Sequence, residues 1–204
     1  MGIRALFPTL VYTDRLRARG WQRLNTQLLR ECRQLKEDDP AGRRWSARNY
    51  PGGYTSYGSA NRMHRNSPTF AVLARELDRH MTRFARRLRF DLEGRPLAMT
   101  DCWVNLMGQG SAHGLHLHPL STISGTYYVA APPGSPGLKL EDPRLERFMA
   151  APPRSGARES NHPWVTLPAR PGQLVLFESW LRHEVAANRS AAERVSISFN
   201  YSWF

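Results

Sequence analysis

Cysteine is scarce: Cys32 and Cys102 are the only two in 204 residues. That is too few for a disulfide framework, and their separation excludes a Cys-x-x-Cys ligand pair. Both thiols read as buried packing in a reducing compartment. Long apolar runs are also missing. Arg4, Asp14 and Arg15 bracket the one early candidate, Ala5 to Tyr12, which is too short for a signal core or a membrane span, so a cytoplasmic, non-membrane protein is expected. Lysine is nearly absent too, since Lys36 and Lys139 are the only two among 29 basic residues. The net charge of +12 is therefore carried by arginine. Basic surfaces attract phosphate, but no zinc-finger, RNP or helix-turn-helix pattern accompanies the charge. It reads as a solvated face, with nucleic acid as a minority partner.

The apolar content, 41% of the chain, is enough to exclude disorder for most of it, and the length suits a single domain, 1–204, with its own core. Phe7-Pro-Thr-Leu-Val-Tyr12 reads as a short strand. Trp21, Leu24, Leu28, Cys32 and Leu35 follow the helical period, predicting a helix over about 16–35. Residues 38–68 are polar and glycine-rich and read as a long loop or frayed hairpin. Ser67-Pro68 is a helix start, because Ser67 can accept from an orphan amide and Pro68 sits where no N–H is needed. That helix should run to about Arg89, with Phe70, Leu73, Leu77, Met81, Phe84 and Leu88 buried and its arginines mostly turned away.

After residue 95 the pattern changes to short strands over 98–107, 123–130, 138–141, 164–167, 173–177, 184–186 and 194–203. Helices followed by many short strands predict a mainly β, α+β architecture, a sandwich or barrel with helices on one face. The first part, 1–97, would support the β core of 98–204. Residues 142–162, rich in Pro and Arg, read as an insertion that could cover a site.

Three of the seven histidines fall in His113-Gly-Leu-His116-Leu-His118. On an extended strand His116 and His118 leave the backbone on the same side. They would be about 6.6 Å apart along the chain, near enough for both imidazoles to reach one metal ion with bonds of about 2.1 Å. A third ligand needs another carrier, and His183, in Glu-Ser-Trp-Leu-Arg-His-Glu-Val, is the histidine beside a later strand-like segment. A lone histidine is more often a satisfied polar residue than a ligand, but a His-x-His with a distant third favours a metal site. His113 is a spare, read as a supporting or loop residue.

In the last strand Arg194, Ser196, Ser198 and Asn200 alternate with Val195, Ile197, Phe199 and Tyr201. The polar face either meets solvent, as in an ordinary half-buried strand, or lines a pocket. In the pocket case Arg194 and Ser196 would present a guanidinium fork and a hydroxyl to one spot, an arrangement that holds a carboxylate.

His116-x-His118, then Ser-Gly-Thr-Tyr-Tyr-Val, then Gly172-Gln-Leu-Val-Leu-Phe-Glu-Ser-Trp-Leu-Arg-His183, then Arg194-Val-Ser196 together resemble the 2-oxoglutarate- and Fe(II)-dependent dioxygenases. The likeness is nearest to a bacterial branch with a His-x-His-Pro-x-Ser core and covers about 98–203. It implies a double-stranded β-helix (a jelly-roll, cupin-like core) buttressed by the N-terminal helices. It also implies Fe(II) held by His116, His118 and His183, and 2-oxoglutarate held by Arg194 with Ser196 and Tyr128. The implied reaction consumes O₂ and hydroxylates an unidentified small-molecule or peptidyl substrate. His118 departs from the pattern, standing where most of the superfamily has a carboxylate, so the metal would keep one more positive charge.

Trp103, Asn105 and Met107 would line the substrate side, while Tyr127 and Trp180 read equally well as core. Two rival readings remain. One is a cupin-like metal protein, an isomerase or small-molecule binder, which has no need of the Arg194 clamp. The other is a basic nucleic-acid- or protein-binding module with a structural metal, which would normally be closed by four ligands including cysteine. A homodimer is left open.

Overall fold

The computed structural model describes residues 2–4, 6–16, 20–150, 152 and 154–203. In chain order the elements are β1 (Val11–Arg15), α1 (Trp21–Asp38), α2 (Pro40–Asn49), β2 (Gly53–Thr55), α3 (Met63–Asn66) and α4 (Pro68–Leu88). There follow β3 (Ala98–Met107), β4 (His113–His116), β5 (Ile123–Ala130), β6 (Leu138–Glu141), β7 (Trp164–Leu167), β8 (Gln173–Glu178), β9 (His183–Val185) and β10 (Arg194–Ser202).

The longest helix is specified locally at both ends. Ser67 accepts from the amides of Thr69 and Phe70, Pro68 takes the first helical position, and Arg89 closes the helix in a left-handed conformation. Its apolar stripe of Phe70, Leu73, Leu77, Met81 and Phe84 is buried. α1 begins at Trp21 and not near residue 16, because Gly20 adopts φ 82° and breaks the helical path. Leu16 instead extends the strand region and is buried.

The expected loop over 38–68 is corrected by the structure, which forms α2, β2 and α3 there. Asp39 caps α2 by accepting from the Gly42 amide at 2.8 Å, and Pro40 occupies the first turn. The first strand also lies later than expected: Pro8 has no N–H to donate to a sheet and Phe7 sits at φ 58°, so pairing begins only at Val11.

The strands form two antiparallel sheets, one ordered β1-β8-β5-β10-β3-β2 and one ordered β4-β9-β6-β7. Period-two alternation decides what each face meets. Val195, Ile197, Phe199 and Tyr201 of β10 pack with Val104, Leu106, Tyr127, Leu174 and Leu176 against α1 and α4. The opposite face of the six-stranded sheet, with Met107, Tyr128, Val175 and Phe177, packs against Leu138, Leu140 and Val185 of the four-stranded sheet. The layers are thus helices, large sheet and small sheet, which is the double-stranded β-helix with N-terminal buttressing. The two central strands approach closely at Gly125, where a Cβ would come within 2.4 Å of the Phe199 ring. Among the described residues, no helix is long and apolar enough to cross a membrane.

Candidate metal centre

The space between the sheets is a pocket. Trp103 and Asn105 of β3, Thr126 of β5, Phe177 of β8 and Arg194, Ser196 and Ser198 of β10 line it from the large sheet. His113, His116, Leu138, His183 and Val185 line it from the small sheet, with His118 just past the end of β4. The polar face of β10 therefore faces the pocket and not solvent: Arg194, Ser196 and Asn200 are all buried.

β4 and β9 pair so that His116 lies opposite His183. Their ring centroids are 4.3 Å apart, with His118 at 5.0 Å from His183 and 5.3 Å from His116. One nitrogen from each of the three lies within 4.8 Å of the others, so the group could hold one metal ion.

The tautomers agree with that role. His116 Nδ1 lies 2.7 Å from the Gly114 carbonyl and His183 Nδ1 lies 2.9 Å from the Leu181 carbonyl. A carbonyl can only accept, so each Nδ1 carries its proton and each Nε2 is left with a free lone pair. Burial, reinforced by the neighbouring His116 imidazole, pushes His183 down to about 3. Burial likewise lowers His118 to about 4. Both rings are neutral at pH 7, as metal ligation requires.

His113 lines the same pocket but does not join the triad. Its ring meets Tyr50 edge-on at 4.3 Å and stands 6.4 Å from His116. Burial pushes it down to about 3, with neighbouring His116 and Arg194 adding to the effect.

Arg194 lines the pocket from the large sheet and is only 3% exposed. Its Nη1 donates to Ser196 Oγ at 3.2 Å and approaches Met107 Sδ at 3.9 Å. The guanidinium carbon sits 4.9 Å from the centre of the Tyr128 ring. Arg194 Nε and the Tyr50 hydroxyl are buried without a hydrogen-bond partner, and no carboxylate among the described residues pairs with the guanidinium. A buried charge in this condition costs several kcal/mol unless an anion completes it. The residues present therefore fit a carboxylate ligand beside a neutral metal-binding triad.

Trp103 and Asn105 line the pocket, whereas Met107 sits beneath Arg194. Tyr127 is core and donates to Asn25 at 2.9 Å. Trp180 is not core but 47% exposed, and no described residue of 142–162 lines the pocket. Cys32 and Cys102 are both buried in the helix-side core, so neither closes the site in the manner of a structural zinc centre. Sequence reasoning missed Tyr50, which the unrecognised α2 delivers, and the polar partners of His118, Ser124 and Asn200.

A double-stranded β-helix with a His-lined pocket between its sheets defines the class, and the comparisons agree with it. Residues 101–200 match the model of the family described as "Putative 2OG-Fe(II) oxygenase". No curated protein matches the chain. Among solved structures, a 2OG-Fe(II) oxygenase family oxidoreductase from Burkholderia pseudomallei is 21% identical with a TM-score of 0.50 over 68% of this chain, which spans 58% of that one. The epimerase SnoN, in complex with Fe3+, alpha ketoglutarate and nogalamycin RO, is 14% identical with a TM-score of 0.64, covering 95% of this chain and 79% of SnoN. A Pseudomonas putida prolyl-4-hydroxylase is 15% identical with a TM-score of 0.61, covering 96% of this chain and 94% of that one.

Proposed function

We propose that the chain is an Fe(II)- and 2-oxoglutarate-dependent hydroxylase acting on a small-molecule or peptidyl substrate. The observation that carries the reading is the pairing, in one pocket, of a three-imidazole cluster with a buried arginine that has no counter-ion. His116, His118 and His183 would hold the iron through Nε2. Arg194, with Ser196 and Tyr128, would bind the distal carboxylate of 2-oxoglutarate and so aim its 2-oxo acid end at the triad. Bound iron and 2-oxoglutarate together would supply O₂ activation, with succinate and CO₂ released and an oxygen atom placed on the substrate.

The remaining residues shape where this occurs. Leu138, Phe177 and Val185 wall the pocket with apolar surface and keep water from the charged groups. Trp103, Asn105 and Ser198, which also line the pocket, would form the surface left for substrate. SnoN, an epimerase in complex with nogalamycin RO, and the P. putida prolyl-4-hydroxylase share this fold, which supports both substrate classes. The test is an anaerobic titration with Fe(II) and 2-oxoglutarate followed by visible absorption. A charge-transfer band that needs both components supports the reading, and its absence, with Fe(II) bound, leaves a metal-binding protein of cupin type.

A further inference from the structure

His116 and His183 have their tautomers fixed by backbone carbonyls, which no substitution can remove. His118 is different. Its Nδ1 is 2.9 Å from Asn200 Oδ1 and 2.7 Å from Ser124 Oγ. Ser124 donates to the same Asn200 oxygen at 2.9 Å and lies 2.8 Å from Ser179 Oγ. Serine hydroxyls can point either way, so they cannot decide which nitrogen of His118 carries the proton. The amide oxygen can only accept. It is the terminal acceptor on which both the Ser124 hydroxyl and the His118 N–H converge.

We infer that Asn200, supported by Ser124 and Ser179, is the positioning residue that sets His118 as a metal ligand, by holding its proton on Nδ1 and leaving Nε2 free. This rests on the reading of the triad as a metal centre. Three observations support it. Ser124, Ser179 and Asn200 are buried together, and buried hydroxyls and amides are costly unless each is satisfied, so their clustering at one ring has a purpose beyond packing. They come from three separate elements, β5, the β8–β9 turn and β10, so the pocket wall closes on the ring from several sides. His118 also lies beyond the end of β4, where its amide donates to the Ser179 carbonyl at 3.0 Å, so the turn that holds its backbone also supplies a hydroxyl to the cluster at its ring.

The choice of an amide has a consequence. A carboxylate at 200 would orient the ring equally well but would add negative charge behind it. Asn200 orients without charge, so a divalent ion in the triad keeps its full positive charge to attract the dianionic co-substrate. In this chain the charge lost by having His118 as ligand is thus not restored through the ring's partner.

The experiment is Co(II) binding to the purified full chain, measured by competition and by visible d–d absorption, in wild type, His118→Ala, Asn200→Leu and Asn200→Asp. Asn200→Leu should weaken Co(II) binding about 10- to 100-fold, the usual effect of losing such a partner, and alter the spectrum. Asn200→Asp keeps the acceptor and should bind Co(II) at least as tightly as wild type, which also covers the case in which Asn200→Leu folds poorly. If Asn200→Asp loses affinity, position 200 acts as a donor and the inference is overturned. It is equally overturned if Asn200→Leu matches wild type in affinity and spectrum while His118→Ala does not. If His118→Ala also matches wild type, the three-histidine reading itself fails.

Discussion

His116 and His183, 67 positions apart in the chain by their numbers, are direct register partners across β4 and β9, with ring centroids 4.3 Å apart. Antiparallel pairing turns two sequence-distant side chains into neighbours on one face. The pairing brings His183 of β9 beside the His-x-His run, where it would complete the three-imidazole cluster. Replacing it by Ala should abolish stoichiometric metal binding, whereas His113→Ala, which removes a ring packed on Tyr50, should reduce it only modestly. Metal content after Fe(II) loading and desalting checks this. Full loss in His113→Ala with retention in His118→Ala would mean the wrong pair carries the metal.

The pair was legible because its signal is local: two histidines at a spacing of two on an extended segment must share a side. Arg194 was legible for the same reason, and the structure decided which way its strand faces. The partners of His118 were not legible, since Ser124, Ser179 and Asn200 are ordinary polar residues whose meaning appears only when three elements converge. α2 is another matter. Asp39-Pro40 carries the same cap-and-proline signal as Ser67-Pro68, but Gly42, Gly52 and Gly53 and a run of arginines hid it within a stretch that reads as loop.

That helix makes its own prediction. Asp39 accepts from the Gly42 amide and from the Tyr54 hydroxyl, each at 2.8 Å, and from Ser59. Asp39→Ala removes the cap and leaves buried Tyr54 without its acceptor, so it should cost about 2 kcal/mol. Denaturant unfolding measures this. Asp39→Asn should recover most of the loss, and a neutral Asp39→Ala would show that α2 is held by packing alone.

The pH dependence of the metal-free protein follows from the buried rings. Free histidine titrates near 6.5, whereas burial lowers His183 to about 3 and His118 to about 4. Below about pH 6.5 the unfolded chain takes up protons that the folded chain refuses, so stability falls with falling pH. It should be fully present above pH 7 and decline steadily between about 6.5 and 4. Thermal unfolding of the metal-free protein across that range is the measurement, and His183→Gln should make the profile shallower without abolishing it, because His113 and His118 remain. A wild-type profile already flat over that interval would contradict burial of the triad as neutral rings.

Arg194 separates the oxygenase from the cupin-type alternative. Its Nε is buried without a partner and Ser196 occupies only Nη1, so a bound carboxylate would complete an otherwise uncompensated charge. Removing one member of such a buried pair costs on the order of 3 kcal/mol, which is about a hundredfold in affinity. Arg194→Ala should therefore lower 2-oxoglutarate affinity by about that factor while leaving metal affinity nearly unchanged, since Arg194 is no part of the triad. Arg194→Lys should restore only part of it, because an ammonium cannot make a forked contact and would shift its distance to Ser196 and Tyr128. Titrating 2-oxoglutarate into the Fe(II)-loaded variants under anaerobic conditions, with succinate release measured in parallel, gives both quantities. Unchanged 2-oxoglutarate binding in Arg194→Ala would place the co-substrate elsewhere and favour a metal protein that does not use it.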